Sequence, residues 1–445
     1  MNIKLSMDKI QLFAYFMGIS FIGSLILSLP FIYISRESPA YIDCLFTAVS
    51  AVCVTGLSTL SMDIYTTTGF WVIMFLIEFG GLGIITFFSL YIAGSGRKIS
   101  LVNRVVVQQF YIDDVETNPK KIIRSIVLFT VSIELIAAII MAHQFDLSGS
   151  TRPFFDSLFH SVSAFCNAGF STYSTSLTGF QDYPVIVWTI VILIVTGGLG
   201  FMVLTDIWKK LVGIKRHLAV HSLLTIVVTG ILIGIGLLAL FVFEKTVCFS
   251  SLSFTKRFMI SFFQAVTPRT AGFSLMDQDL FSPFYQMITI ILMFIGGSPG
   301  SIAGGIKTTT FAIVFLYAIK GSVGRNGLTV GKRSISPEII EKAFNIMAKS
   351  LMFIITALLL LLLAESEKIL SGQFTVFDVA FETVSAFATV GLSQGITGDL
   401  SLPGKIVIIV TMFIGRIGIV AMAAGFFRND KERFFEYPSA SIAVG

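Results

Sequence analysis

Four short segments of this 445-residue chain repeat one pattern of residue types, and the pattern suits coordination of an ion by backbone oxygens. They are 46–58, 159–171, 262–274 and 381–393, and they align without gaps. Each opens with Phe and has Gly ten positions on (Gly56, Gly169, Gly272 and Gly391), followed by Leu or Phe and then Ser. Three also carry Asp three residues before the Phe: Asp43, Asp156 and Asp378. A segment of this length is too short to cross a bilayer and too apolar for an ordinary loop. Non-helical backbone at membrane depth is tolerated only where it is buried in protein or lines a watery cavity. Gly permits the backbone angles that turn carbonyls toward an axis, and puts no side chain in the way. Four such loops make rings of four carbonyls that can replace an ion's hydration shell. A single Phe…Gly-x-Ser segment would read as helix packing through small residues. Four aligned copies, each between two apolar runs, argue against that.

The elements that must position these loops are membrane helices. The chain is 55% hydrophobic and 13% charged, with mean hydropathy +0.88; soluble domains carry roughly twice that share of charge. Apolar runs at 10–33, 70–92, 122–141, 185–208, 223–243 and 348–363 are each about long enough to cross a bilayer. Two more lie at 284–295, continuing past a glycine-rich break, and at 406–427. A second glycine cluster begins at Gly80, Gly197, Gly296 and Gly415, which is 24, 28, 24 and 24 residues after the first glycines. Each unit therefore reads as outgoing helix, short half-buried helix, glycine turn and returning helix. Two crossings bring the chain back to its starting side, so all four units share one orientation. The expected fold is an all-α polytopic membrane protein with eight transmembrane helices and pseudo-fourfold symmetry around one pore. The expected divisions are 1–96 (repeat 1), 97–214 (linker and repeat 2), 215–324 (repeat 3), 325–427 (linker and repeat 4) and a tail at 428–445.

The net charge of +5 raises nucleic acid as a partner, but the basic residues sit between spans. Lys4 and Lys9, three linkers and the tail hold 19 Lys and Arg, against seven in the opposite loops. The positive-inside rule puts both termini in the cytoplasm. The first apolar run lacks a small-residue cleavage site and reads as a retained span. Cys44, Cys53, Cys166 and Cys248 form no CxxC pair and read as buried small residues. His217 and His221 lack a third zinc ligand nearby. Paired acids or an HExxH cluster, as a membrane enzyme needs, are not found, so the chain reads as no enzyme and needs no cofactor.

The candidate ion ligands are the triplets ending at each glycine: Val54-Thr55-Gly56, Asn167-Ala168-Gly169, Thr270-Ala271-Gly272 and Thr389-Val390-Gly391. Aligned with the TVGYG filter of potassium channels, the fourth keeps three letters and the others fewer. The short helix before each triplet aims its partially negative C-terminal end at the axis, which favours a cation. The Asp at its start is placed to cap free N–H groups.

With these motifs and spans the chain resembles the Trk/Ktr/HKT superfamily of K+ transporters, and within it the bacterial KtrB-type membrane subunit, over almost its whole length. In that family a filter glycine in all four repeats goes with K+, so Gly56 implies K+. A Na+-preferring or Na+/K+ cotransporting member is the alternative, with Na+ as an activator or coupled ion. The resemblance further implies uptake across the plasma membrane, a homodimer with one pore per subunit, and a KtrA-like cytoplasmic ring of nucleotide-binding subunits. It assigns the tail at Glu436-Tyr437-Pro438 to dimer contacts.

Polar and irregular features within the spans complete the candidate site. The third returning helix is interrupted between Gly296 and Thr310 by Gly296, Gly297, Gly300, Gly304 and Gly305, with Pro299 and Lys307. A continuous helix there would cost roughly 8 kcal/mol in propensity. A broken helix forming a gate loop below the filter is expected, with a kinked packing segment as the alternative. Gly300 to Thr308 mimics a phosphate-binding GxxxxGK[ST] loop, but an extra Ile precedes the Lys and no strand precedes the glycines. Arg416 falls near mid-membrane, where a charge marks function; it reads as a pore barrier, or else as the partner of Glu78 or another carboxylate. Lys307 is a second such cation. Arg269 and Glu382 are expected to brace the filter from behind by an ion pair. Asp63, Asp277, Asp279 and Asp399 either concentrate cations at the outer face or are ordinary solvated charges.

Overall fold

The computed structural model describes residues 7–94, 119–244, 249, 251–320, 328–330 and 333–418. The tail at 428–445 with its dimer role, Cys248, and the linker residues Arg97, Lys98, Arg104, Arg325 and Lys332 lie outside them.

Local signals start most helices. The first group is α1 (Met7–Leu27), α2 (Tyr41–Val52) and α3 (Thr67–Gly94). The second is α4 (Pro119–Leu147), α5 (Pro153–Phe165) and α6 (Pro184–Leu211), and prolines at the first turns of α5 and α6 use positions that have no N–H partner anyway. The third is α7 (Val220–Phe243), α8 (Phe254–Val266) and α9 (Pro283–Phe294); Ser253 and Ser282 cap α8 and α9 through their hydroxyls. After α10 (Thr308–Lys320) come α11 (Pro337–Ala364), α12 (Ser366–Leu370), α13 (Val376–Ala388) and α14 (Leu402–Phe413), which runs into a π-turn at Ile414–Gly418. Thr375 and Asp378 form a reciprocal capping box on α13.

The acids expected as caps divide. Asp378 caps. Asp43 instead accepts from Thr59 (2.7 Å) and pairs with Lys405 (2.6 Å). Asp156 accepts from Ser150 (2.5 Å) and Tyr173 (3.0 Å). These two fasten the start of a short helix to the segment that follows its glycine turn.

Among the described residues, four helices are long and apolar enough to cross a membrane: 124–147 within α4, α6, α7 and α11. α9 stops at the glycine-rich break, and α14 ends in the π-turn. The all-α expectation also missed a hairpin in the fourth-repeat linker. Strands β1 (Leu328–Val330) and β2 (Arg333–Ile335) pair antiparallel with Leu328 opposite Ile335. Leu328 is buried against Ile313, Ile340 and Ala343.

The short helices α2, α5 and α13 each pack on the long helix before and the helix after, while α8 packs on α7 and meets α9 through the Tyr285 hydroxyl on the Gln264 carbonyl. Each returning helix also packs on the next short helix: α3 on α5, α6 on α8, α9 on α13, and α14 on α2. The last contact closes the order on itself.

Candidate functional site

The C-terminal ends of the short helices carry the four triplets. In every copy the residue two before the glycine is left-handed: Val54 (φ 56°), Asn167 (54°), Thr270 (71°) and Thr389 (50°). The glycines follow suit, with Gly56 at φ 98°, Gly169 at 71°, Gly272 at 75° and Gly391 at 92°. Three of the four non-glycine positions are β-branched, for which this region is a rare outlier. Such strain persists where the surroundings over-determine it, typically at functional sites.

The glycines meet in a closed order. A Cβ added to Gly56 would lie 2.5 Å from the Ala168 carbonyl oxygen and 3.1 Å from the Gly169 Cα. One added to Gly169 would lie 2.9 Å from both the Ala271 carbonyl and the Gly272 Cα. At Gly272 it would strike the Val390 carbonyl, and at Gly391 the Thr55 carbonyl. The chain thus brings the twelve triplet residues together, with each glycine lodged against the next repeat's carbonyl.

A set of hydroxyls that the sequence reading left without a role holds these turns. Ser50 accepts the Gly56 N–H and Ser385 accepts the Gly391 N–H, both at 3.1 Å. Ser163 donates to the Phe170 carbonyl (2.7 Å) and Thr267 to the Phe273 carbonyl (2.6 Å). The shared Val-Ser-Ala of three repeats was the available signal. Asn167, with its amide oriented to suit its neighbours, donates to Ala164 (3.1 Å) and Ile194 (3.3 Å) and accepts from Gly198 (3.3 Å), so its side chain anchors the turn on α6. The hydroxyls of Thr55, Thr270 and Thr389 are buried with no hydrogen-bond partner.

The second glycines let the returning helices close on the same ends. A Cβ on Gly80, Gly197 or Gly415 would strike the carbonyl of Val52, Phe165 or Phe387, each the last residue or last but one of a short helix. In the third copy the partner is the chain's own Gly304. There the helix is broken: α9 ends at Phe294, α10 begins at Thr308, and Ile295 bridges Ile306 in parallel. Gly296 N–H donates to Ile306 (2.9 Å) and Thr308 N–H to Gly297 (3.0 Å), pinching the segment into a loop.

This loop reaches all four copies. A Cβ on Gly304 would be 2.6 Å from the Ala388 carbonyl and would strike the Thr389 hydroxyl. Gly300 abuts Gly200, where α6 kinks at φ 81°, and Ser298 N–H donates to Gly198 (3.0 Å). Arg269 donates to the Gly296 carbonyl (2.6 Å). Arg416, 4% exposed in the π-turn, donates to the Ile302 carbonyl and, at 3.2 Å, to that of Gly80. Lys307 donates to Ala303 (2.6 Å) within the loop itself.

One expected ion pair, and the alternative pairing of Arg416, are therefore not formed. Arg269 and Glu382 do not pair, because the arginine is turned to Gly296 while Glu382 accepts from Thr397 on its own repeat. Each fastens a different wall of the glycine ring. Arg416 does not meet Glu78; backbone carbonyls take its guanidinium.

On the other side of the ring lies an open vestibule of about 520 Å³. Hydroxyls such as Ser58, Ser171, Ser274 and Ser393 line it, with Asp277 and Asp279 as its only carboxylates among the described residues. Asp63 and Asp399 do not line it. Partial burial and the charge of Asp279 push the Asp277 carboxyl above its ordinary range.

Comparison with known proteins gives one family. A model described as TrkH, cation transport protein, matches residues 2–437. The potassium/sodium uptake protein NtpJ of Enterococcus hirae is 36% identical over 100% of this chain and 99% of its own length. The Ktr system potassium uptake protein B of Bacillus subtilis is 37% identical over 95% of this chain and 94% of its own. The crystal structure of the potassium transporter TrkH from Vibrio parahaemolyticus matches at a TM-score of 0.72 and 20% identity, covering 96% of this chain and 87% of that one. At that identity the likeness speaks to the fold.

Proposed function

This chain belongs to the TrkH family of cation transport proteins, and we propose that it forms a single K+-selective uptake pore in the plasma membrane. In this reading four parallel repeats surround one axis with pseudo-fourfold symmetry. The triplets ending at Gly56, Gly169, Gly272 and Gly391 form the filter. The observation that carries the reading is the closed order of four glycines, each against the next repeat's carbonyl, beneath a hydroxyl-lined vestibule. Carbonyl rings of that kind take the place of a cation's water. K+ is the transported substrate.

The loop between Ile295 and Lys307 is the gate. It lies against the filter's inner end through Gly304 and Thr389. Arg416 fastens it through the Ile302 carbonyl, and its own charge opposes a cation leaving the filter. Lys307 adds a second positive charge there. Arg269 and Glu382 brace the third and fourth walls separately.

The vestibule faces outward in this assignment and both termini face the cytoplasm. The names of relatives in Ktr systems support a membrane subunit that works with other components. A homodimer regulated by a KtrA-like cytoplasmic ring of nucleotide-binding subunits is the assembly proposed.

The test is ion replacement with the purified protein in liposomes. Rb+ and K+ uptake should exceed Na+ uptake severalfold, and external K+ should compete with Rb+ while Na+ does not. Equal or faster Na+ flux, or strict dependence of Rb+ flux on Na+, would favour the Na+-linked alternative, for which the potassium/sodium name of one relative is the present support.

A further inference from the structure

The filter and gate leave one buried group of side chains without a role. Glu78 on α3, Glu134 on α4 and the thiol of Cys166, just after α5, bring their ligand atoms within 4.8 Å of one another. Glu134 is 3% exposed and Cys166 is fully buried. Glu78 Oε2 and Glu134 Oε1 have no hydrogen-bond partner. Along the helices Glu78 lies about 17 Å and Glu134 about 22 Å from the starts of α3 and α4, close to mid-membrane.

Two carboxylates facing each other at that depth cannot both hold charge unless a positive charge lies between them; otherwise they share a proton. Among the described residues no basic side chain supplies that positive charge. Arg416, the nearest candidate by sequence reasoning, is committed to Ile302 and Gly80. The third convergent atom is sulfur, which K+ and Na+ do not use and which soft or borderline divalent ions do. Two carboxylates also balance a divalent charge. We propose that Glu78, Glu134 and Cys166 form an intramembrane binding site for a thiophilic divalent cation of the Zn2+ class, separate from the K+ path.

The site lies directly beside the gate loop. A Cβ on Gly81 would be 2.9 Å from the Cys166 sulfur and 3.3 Å from Ile302 Cγ2, so the thiol and the loop share one wall. Ion binding would tie α3 and α4 to the end of α5 and hold Ile302 in place. Its effect on flux is inhibition, and that part alone rests on the gate assignment above.

Cd2+ is the probe, read first by binding. In a protein with Cys44, Cys53 and Cys248 replaced by Ala, Cys166 is the only thiol. One equivalent of Cd2+ should produce thiolate-to-metal absorbance, and Glu134→Gln or Glu78→Gln should each weaken binding about tenfold or more. In liposomes Cd2+ should slow Rb+ uptake relative to each protein's own metal-free rate, and Cys166→Ser should remove the effect. Where the three-alanine background does not fold, the same titration on the native chain, compared with Cys166→Ser, reads the loss of one bound Cd2+. Protein that transports Rb+ yet shows no Cys166-dependent Cd2+ binding overturns the site. So does equal affinity in the glutamine variants, or an infrared band of a protonated carboxyl that persists in Cd2+, which would show that the pair holds a proton alone. Binding without inhibition would retain the site and reject its link to the gate.

Discussion

Substituting Gly56 by Ala tests the carbonyl ring at the first repeat. Gly56 sits at φ 98°, where an L-residue costs about 1–2 kcal/mol. The added Cβ would also be 2.5 Å from the Ala168 carbonyl, a clash with backbone that typically costs about 1–3 kcal/mol to relieve. Together these come to roughly 2–5 kcal/mol, and about 1.4 kcal/mol is tenfold in an equilibrium constant. Even if half relaxes through shifts of the loop, the half-saturating K+ concentration should rise by about fivefold or more. The K+/Na+ preference should fall with it, because the displaced oxygen belongs to the ring. The assay is Rb+ uptake into liposomes against concentration, with K+ and Na+ as competitors. Gly149→Ala supplies the control: Gly149 has φ 83° with nothing within 4 Å of an added Cβ, so it carries the backbone strain without the collision and lies away from the ring. Unchanged affinity and preference in a Gly56→Ala protein that is folded would refute the filter assignment for the first repeat.

Other perturbations separate the parts. Arg416→Gln removes the bond to Ile302 and a buried charge, so basal Rb+ flux should rise severalfold; flux that stays equal or falls argues against the latch. Lys405→Met leaves Asp43 buried without its ion pair, which costs about 3 kcal/mol and should lower the melting temperature, while Asp43→Asn with Lys405→Met should recover part of it. Asp277 is held above the ordinary carboxylate range, so it loses its charge sooner as external pH falls. At ~8 Å in a water-like medium one charge is worth about 0.5 kcal/mol, or roughly a twofold rise in half-saturating K+ on acidification; Asp277→Asn should show the higher value at all pH and lose that part of the pH dependence. Ser385→Ala removes the acceptor for the Gly391 N–H and should reduce K+ preference with little change in expression.

The repeat was legible because its signal is local. Phe381, Gly391 and Ser393 occupy fixed positions in one short segment, and three further copies with the same three residues at the same spacing exclude chance. The break at Gly296 was legible because glycine and proline act on their own backbone. What escaped depends on how separate segments meet. Asp43 and Lys405 stand 362 positions apart, and only closure of α14 on α2 brings them together. Arg269 and Glu382 were matched by charge, yet a carbonyl and a hydroxyl compete for them at shorter range. Glu78 and Glu134 carry like charges, so no pairing rule on the sequence would have joined them. The left-handed turns at Val54 and Thr389 ran against residue preference, since β-branched side chains are poor predictors of positive φ.

The contact between α14 and α2 has a consequence for how the molecule is made. Helices emerge from the ribosome in order, and domains form as their parts become available. The first three repeats can insert and pack while the circle still has a gap facing lipid. Only the last returning helix supplies Lys405 for Asp43 and Arg416 for the loop. On the proposed gate assignment, an unfinished chain therefore lacks both the closing wall and the bond that fastens the loop, and the same late segment delivers both. On the pore and gate assignment proposed above, conduction and its control would come into being with the same late segment, leaving no interval in which a complete but uncontrolled hole could drain ions.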